Sequence, residues 1–318
     1  MVKIVLAGPP PAERLAQFQR AYPSVQFVAA QKRDEALDLV EDCDAFFGGI
    51  TDEEFKAARK LRWVQSPSAG VEWMWKIPTI ADSSVTVTNA RGAHAATIAE
   101  HTFALLLALT RQVRMHYDRQ ARKEWVRGEL SRHLVGIKGL TMGIIGFGNI
   151  GRGIGRRAAA FEMEVLAVDA HPGAPGDGVK EVWPLERLNE MCRKSDVLAI
   201  SAPITPQTRG MVGREQIGAM KAGSYVIAVS RGGIVDEPAL IEALKSGKLA
   251  GAGLDVQATE PMEKDDPLWD APNILLTPHD SGASKLTTDL MWSIFFENVG
   301  KFVKGEPLTN TVDKRLGY

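Results

Sequence analysis

Leu140-Thr141-Met142-Gly143-Ile144-Ile145-Gly146-Phe147-Gly148-Asn149-Ile150-Gly151 decides how this chain folds. The apolar residues Leu140, Met142, Ile144 and Ile145 read as a strand, and a helix is expected to open at Asn149. A Gly-x-Gly-x-x-Gly run alone is a weak signal, because glycine pairs are common in turns. Here the strand before it, the helix after it and an acidic residue, Asp169, closing the next strand supply the context of a dinucleotide-binding turn. Gly146 permits the tight turn, Gly148 lets a pyrophosphate approach the backbone, and Gly151 lets helix and strand pack closely. N–H groups at the helix start, around Asn149 and Ile150, are positioned for phosphate oxygens. Asp169 can accept hydrogen bonds from both adenosine ribose hydroxyls and would repel a 2′-phosphate, so NAD is expected over NADP. His171, just beyond it, is the residue that could tolerate a phosphate.

On the C-terminal side the alternation of short apolar runs with amphipathic stretches continues, as in a parallel sheet with crossover helices. Strands are expected at Leu140–Ile145, Glu164–Val168, Val197–Ile200, Ser224–Val229, Ala250–Asp255 and Asn273–Thr277. Six runs fit a doubly wound Rossmann sheet, and the segment from Pro172 to Gly178 reads as a loop. On the N-terminal side a shorter series, Lys3–Ala7, Val25–Ala29, Ala45–Phe47, Leu61–Gln65 and Val85–Asn89, reads as a smaller, flavodoxin-like parallel sheet. Between them, Ala95 to about Tyr117 reads as one helix too apolar for a surface position, buried between domains or subunits. The last helix, about Ala283 to Lys304, shows Leu286, Leu290, Ile294, Phe295, Val299 and Phe302 at helical spacing. Because the nucleotide sheet is already complete, this helix is expected to pack back on the N-terminal sheet. The chain is therefore read as α/β with two domains: 1–93 with 284–318 for substrate, and 94–283 for NAD, hinged near Ala93 and Ala283.

The totals agree with this class. The 318 residues are 45% hydrophobic and 24% charged, and the net charge of -1 gives no general attraction for nucleic acid or anionic membranes. Cys43 and Cys192 read as reduced thiols, no CxxC spacing occurs, and no metal is expected. No apolar run approaches the ~20 residues a bilayer span needs, and Pro9-Pro10-Pro11 interrupts the N-terminal run, so no signal peptide and a cytoplasmic location are expected.

Three polar residues follow strand ends in the second half of the nucleotide domain: Arg231 in Ser230-Arg231-Gly232-Gly233, Glu260 before Pro261, and His279 after Thr277-Pro278. Strand ends on this side of a parallel sheet line the ligand crevice. A substrate carboxylate needs a planar bidentate cation, which arginine supplies. Reduction of a 2-keto acid puts negative charge on the keto oxygen, so a proton donor must stand beside it, and histidine titrates near neutral pH. A carboxylate on the other ring nitrogen would fix the tautomer and favour the imidazolium. Taken singly, any of the six histidines is more often structural, an Arg-Gly pair is usually a turn, and Glu-Pro usually marks a loop. Their joint placement downstream of a dinucleotide turn points to chemistry.

With these residues assembled, the chain resembles the D-2-hydroxyacid dehydrogenases over nearly its whole length, most densely from Asn89 to Gly282. The matching segments are Thr97-Ile98-Ala99-Glu100, the phosphate turn, Asp196 to Pro203 with Thr208, Ser230 to Asp236, Gly253-Leu254-Asp255-Val256 through Glu260-Pro261, and Thr277-Pro278-His279. The resemblance implies catalytic roles for Arg231, Glu260 and His279, and cofactor contacts at Ala202, Pro203, Thr208, Val229, Ser230 and Asp255, the last to the nicotinamide carboxamide. It also implies that backbone amides at Ala69 and Gly70 help hold the substrate carboxylate, and that the chain forms a homodimer around the Ala95–Leu109 helix. Ser68-Ala69-Gly70-Val71-Glu72 is similar to the glyoxylate and hydroxypyruvate reductase branch. Trp73, Trp75 and Trp125 are candidates for a pocket wall. Three positions depart from the family pattern: Ser201 for histidine, Ala228 for asparagine, and Asp280 for an apolar residue after His279. Formate dehydrogenases, similar in fold, carry glutamine where Glu260 stands and need no proton donor. An NAD-sensing protein similar to the C-terminal binding protein co-repressors is the alternative from another class, and it would be expected to carry interaction tails.

Overall fold

The computed structural model describes residues 1–317. The chain divides into two compact units, Met1–His94 together with Ser284 onward, and Ala95–Ala283. In the first unit, strands β1 (Val2–Leu6), β2 (Val25–Ala29), β3 (Ala45–Phe47), β4 (Trp63–Gln65) and β5 (Thr86–Thr88) form a parallel sheet in the order β2-β1-β3-β4-β5. This is the flavodoxin-like order.

The strands are short and apolar because both faces of the sheet are covered. The two-residue period of β1 sends Ile4 and Leu6 to one face and Val5 to the other. Ile4 and Leu6 meet Phe18, Trp63 and the helix Lys285–Lys304 through Trp292, Phe295 and Val299. The last helix therefore packs on the N-terminal sheet, but by a different stripe from the one its first turns suggest. Leu286 and Leu290 are exposed. At about 100° per residue, Leu290 lies some 200° around the axis from Trp292, so it cannot share the face that Trp292, Phe295 and Val299 bury. The helix is capped by Ser284, whose hydroxyl accepts from the Thr287 amide, and ends at Gly305 in the left-handed region, φ 70°. Its one fully buried polar side chain, Asn298, donates to Gln65 and the Thr309 carbonyl and accepts from the Thr309 amide.

In the second unit, β6 (Thr141–Ile145), β7 (Glu164–Asp169), β8 (Val179–Pro184), β9 (Val197–Ile200), β10 (Ser224–Ala228), β11 (Leu249–Leu254) and β12 (Ile274–Leu276) are all parallel, in the order β12-β11-β10-β9-β6-β7-β8. The sheet thus has seven strands where the sequence suggests six. The extra strand, β8, is an edge strand with charged residues at Lys180 and Glu181 and a proline at its end. Such a strand carries little of the apolar signal of a central one.

The apolar stretch after Ala95 also differs from expectation. It forms two helices, Ala95–Thr110 and Val113–Ala121, separated at Gln112, which is left-handed with φ 53°. Both the backbone amide and the side-chain amide of Gln112 donate to the Leu109 carbonyl, which closes the helix end. The first helix packs within its own unit, on β10 and β11. Glycines on β11 make room for it: a Cβ on Gly253 would come within 2.9 Å of Leu105 Cβ, and one on Gly251 within 3.2 Å of Leu109. A helix that covers the middle of a sheet needs apolar residues over much of its circumference, which explains its composition.

Both cysteines are free and buried, and burial pushes the thiols up, Cys43 to about 12 and Cys192 to about 11. They are packing residues, protonated and unreactive at neutral pH. No helix among the described residues is long and apolar enough to cross a membrane.

Candidate active site

The order of the second sheet reverses between β6 and β9, and ligands of open α/β sheets bind outside the strand ends at such a switch point. The two loops that leave β6 and β9 meet there. Gly146 has φ +85°, and a Cβ on it would come within 2.6 Å of the Ala202 backbone. A Cβ on Gly151 would lie 2.1 Å from the Gly146 carbonyl oxygen, so this glycine sets how closely helix Asn149–Ala160 approaches the turn. The Cβ position of Gly148 faces open space with nothing within 4 Å. Gly146 and Gly151 are thus required by the protein's own packing, whereas the space beside Gly148, at the N-terminus of a twelve-residue helix, suits an approaching phosphate. Ser201 donates to the Gly146 carbonyl at 2.7 Å, so its departure from histidine gives the phosphate turn a brace. Asp169 ends β7, with one carboxylate oxygen accepting from the Phe147 amide (2.7 Å) and the other from the His171 amide (2.9 Å). These features fit a dinucleotide with its pyrophosphate on the helix and its adenosine ribose near Asp169.

Arg231, Glu260 and His279 stand on loops from three adjacent strands. Ala228, Leu254 and Leu276 are in register across β10, β11 and β12, and neighbouring strands lie about 4.8 Å apart. Arg231 comes three residues after Ala228, Glu260 six after Leu254, and His279 three after Leu276. A Cβ on Gly232 would sit 1.7 Å from the Gln257 carbonyl oxygen, so the arginine loop touches the glutamate loop, and only glycine permits that approach. Arg231 is half-buried and one guanidinium nitrogen donates to the Ser230 carbonyl at 2.7 Å.

His279 Nδ1 lies 2.7 Å from Glu260 Oε2, while Glu260 Oε1 accepts from the Gln257 amide at 2.9 Å. A carboxylate can only accept, so Nδ1 carries the proton and Nε2 is left to exchange one with a ligand. The His279 backbone is left-handed, φ 54°, and its amide donates to the Asp255 carbonyl at 2.8 Å. A positive φ on a residue other than glycine is strained and persists only where the surroundings enforce it, which is common at functional sites.

Two residues implied for the cofactor also hold the loops around it. Asp255 is fully buried, and its carboxylate accepts from the Thr277 hydroxyl and the amides of Asp280 and Ser281. It ties the histidine loop to the end of β11. Thr208 is also buried; its hydroxyl donates to the Pro203 carbonyl and accepts from the Thr205 amide, which ties down the Ala202–Thr208 loop. Val229 is buried, and the hydroxyl of buried Ser230, beside Arg231, has no hydrogen-bond partner among the described residues. An unpaired buried hydroxyl is unfavourable and points to a missing partner.

In the first unit, the Ala69 carbonyl accepts from Asn89 and the Gly70 carbonyl from Ser66 and Ser68, which fixes the loop after β4. Of the tryptophans, Trp73 packs near Gly49, whereas Trp75 and Trp125 are exposed, Trp125 by 96%.

Glu237 was not singled out by the sequence. It accepts from the Ala258 amide at 2.6 Å and so steadies the loop that carries Glu260; burial pushes its carboxyl above the ordinary range. It follows Asp236, whose side chain caps the next helix by accepting from the Ala239 amide. A cavity of about 410 Å³ lies at the opposite strand ends, beside Ala250, Trp269 and Ile274, and is unrelated to these loops.

Residues 103–281, more than half of the chain, match the family described as D-isomer specific 2-hydroxyacid dehydrogenase, NAD binding domain. The chain belongs to this family. The matched span of this D-isomer specific 2-hydroxyacid dehydrogenase relative falls inside the Ala95–Ala283 unit. Glyoxylate reductase from Korarchaeum cryptofilum is 37% identical to it, over 88% of this chain and 86% of that protein. D-3-phosphoglycerate dehydrogenase from Methanocaldococcus jannaschii is 31% identical over 98% of this chain, which spans only 60% of that longer relative. The crystal structure of a D-isomer specific 2-hydroxyacid dehydrogenase family protein from Aeromonas salmonicida matches with a TM-score of 0.86 and 30% identity, covering 98% of this chain and 99% of that one.

Proposed function

We propose that this chain is an NAD-dependent oxidoreductase acting on C2 of a small 2-keto or 2-hydroxy acid. The observation that carries the proposal is the His279–Glu260 pair, 2.7 Å apart, on loops adjoining that of Arg231. The bound nicotinamide supplies or accepts the hydride. Arg231 holds the substrate carboxylate through its guanidinium fork. His279 moves a proton at the C2 oxygen through Nε2, donating it in reduction and taking it back in oxidation. Glu260 holds Nδ1–H, orients the ring and offsets the positive charge that the protonated ring carries. Glyoxylate or hydroxypyruvate is the preferred substrate, a choice supported by the Ser68–Glu72 loop and the 37% identity to a glyoxylate reductase.

Steady-state oxidation of NADH with glyoxylate, hydroxypyruvate, pyruvate and bulkier keto acids tests this directly. Turnover with a small keto acid is expected. NADH binding without turnover of any of them would overturn the proposal and favour an NAD-sensing protein like the co-repressors.

The Asp169 carboxylate underlies the preference for NAD. Asp169→Ser should weaken NADH, raising its KM about tenfold or more through the lost ribose hydrogen bonds, and narrow the gap between NADH and NADPH. An unchanged NADH/NADPH ratio would remove Asp169 from that role.

The homodimer is proposed to use apolar side chains that follow the Ala95–Thr110 helix, where Met115, Tyr117 and Trp125 are exposed together in one stretch of chain. Sedimentation at micromolar concentration should give the mass of two chains, and Trp125→Asp should lower it; a parent chain of monomeric mass speaks against the assembly.

A further inference from the structure

His101 lies on the Ala95–Thr110 helix, one and two turns before Leu105 and Leu109, the residues that seat the helix on Gly253 and Gly251 of β11. It is a polar side chain in an otherwise apolar stripe, and its Nε2 lies 2.9 Å from Thr277 Oγ1. The Thr277 hydroxyl is in turn 2.5 Å from Oδ1 of the fully buried Asp255. These two distances fix the direction of the chain of bonds. A carboxylate only accepts, so the single hydroxyl proton of Thr277 goes to Asp255. The contact at 2.9 Å must then use a proton on His101 Nε2.

Asp255 is the point on which the histidine loop hangs. Its carbonyl accepts from the His279 amide, and its carboxylate accepts from the amides of Asp280 and Ser281. His279 lies between Thr277 and Asp280 with φ 54°, a conformation that needs enforcement from outside. A buried carboxylate is also free to turn about its own side-chain torsions unless its oxygens are held by more than the loop it is meant to hold. The bond from Thr277, itself oriented by His101 from a different element, supplies that anchor.

We infer that His101 and Thr277 are positioning residues for the proposed reaction. Through Asp255 they hold the Pro278–Ser281 turn so that the His279 ring stays on Glu260 with Nε2 presented to the ligand. Neither touches the reacting atoms. The inference rests on His279 as the proton-transfer group, and it extends that reading to the helix side of the sheet.

Hydrogen–deuterium exchange of the full-length protein, without substrate, reads the brace directly. Thr277→Val and His101→Ala should each speed exchange of the 279–281 amides about tenfold or more, the loss of roughly one hydrogen bond, while the amides of β6 and β10 stay protected. Thr277→Ser, which keeps the hydroxyl, and His101→Gln, which places an N–H near the position of Nε2, should restore most of the protection. In turnover, Thr277→Val and His101→Ala should lower kcat about tenfold or more while the keto acid KM stays within about twofold, and the double variant should be little worse than either single one. Unchanged exchange at 279–281 in both variants, or a loss that rises in KM alone, would overturn the inference. Because exchange is read without substrate, an unreactive parent chain would sink the proposed reaction and still leave the brace to be decided by the exchange result.

Discussion

Replacing His279 with asparagine is expected to lower kcat for keto acid reduction by about 10²- to 10⁴-fold, the usual worth of positioned acid catalysis. Asparagine is the informative choice because of the backbone. Position 279 sits at φ 54°, and asparagine tolerates the left-handed region better than alanine does. The amide bonds from His279 to Asp255 and from its neighbours to the Asp255 carboxylate should therefore survive, along with the melting temperature. NADH affinity, measured by fluorescence, should stay within about twofold, since the phosphate turn is built from β6 and its helix. A variant that keeps kcat within about threefold of the parent would remove His279 from proton transfer.

Arg231→Ala is expected to act on the other side of the kinetics. Loss of a bidentate, charge-assisted contact with the substrate carboxylate is worth about 3 kcal/mol or more, which is over a hundredfold in kcat/KM, most of it entering through KM. NADH binding should be little changed. Arg231→Lys restores the charge without the planar fork, so it should recover only part of the loss. The same fork accounts for Gly232. Arg231 needs its loop pressed against the Gln257 carbonyl, 1.7 Å from any Cβ at position 232, so Gly232→Ala should mimic the arginine variant without removing the charge. An Arg231→Ala enzyme with unchanged KM and kcat would place the carboxylate elsewhere.

Much of this site was open to reading before any fold was known. The phosphate turn carries its own context, because a glycine that must adopt φ +85° and one that must admit a helix at 2.1 Å leave a spaced signature that no other residue can fill. Arg231, Glu260 and His279 were recognisable because each follows an apolar run long enough to be a strand, and parallel strands deliver their C-terminal ends to one side. The supporting residues were not recognisable. Glu237 looks like one more acid in a helix's first turn, Thr277 like a strand end, and His101 like a flank of an apolar helix. Asp255 and Thr208 have a bracing part that their motif does not reveal: their side chains bond to Thr277, Asp280, Ser281, Pro203 and Thr205.

The sequence by itself determined the alternation of elements, the dinucleotide turn and the identities of the three residues offered for chemistry, because periodicity, glycine stereochemistry and side-chain type are local properties. Tertiary structure alone decided which face of the last helix is buried, that the helix after His94 breaks at Gln112 and lies on its own sheet, and which polar groups brace the loops that carry Arg231, Glu260 and His279. Those outcomes depend on which atoms meet across the sheet, and the bracing groups find partners far along the chain, as Asp255 does in Thr277 and Thr277 in His101.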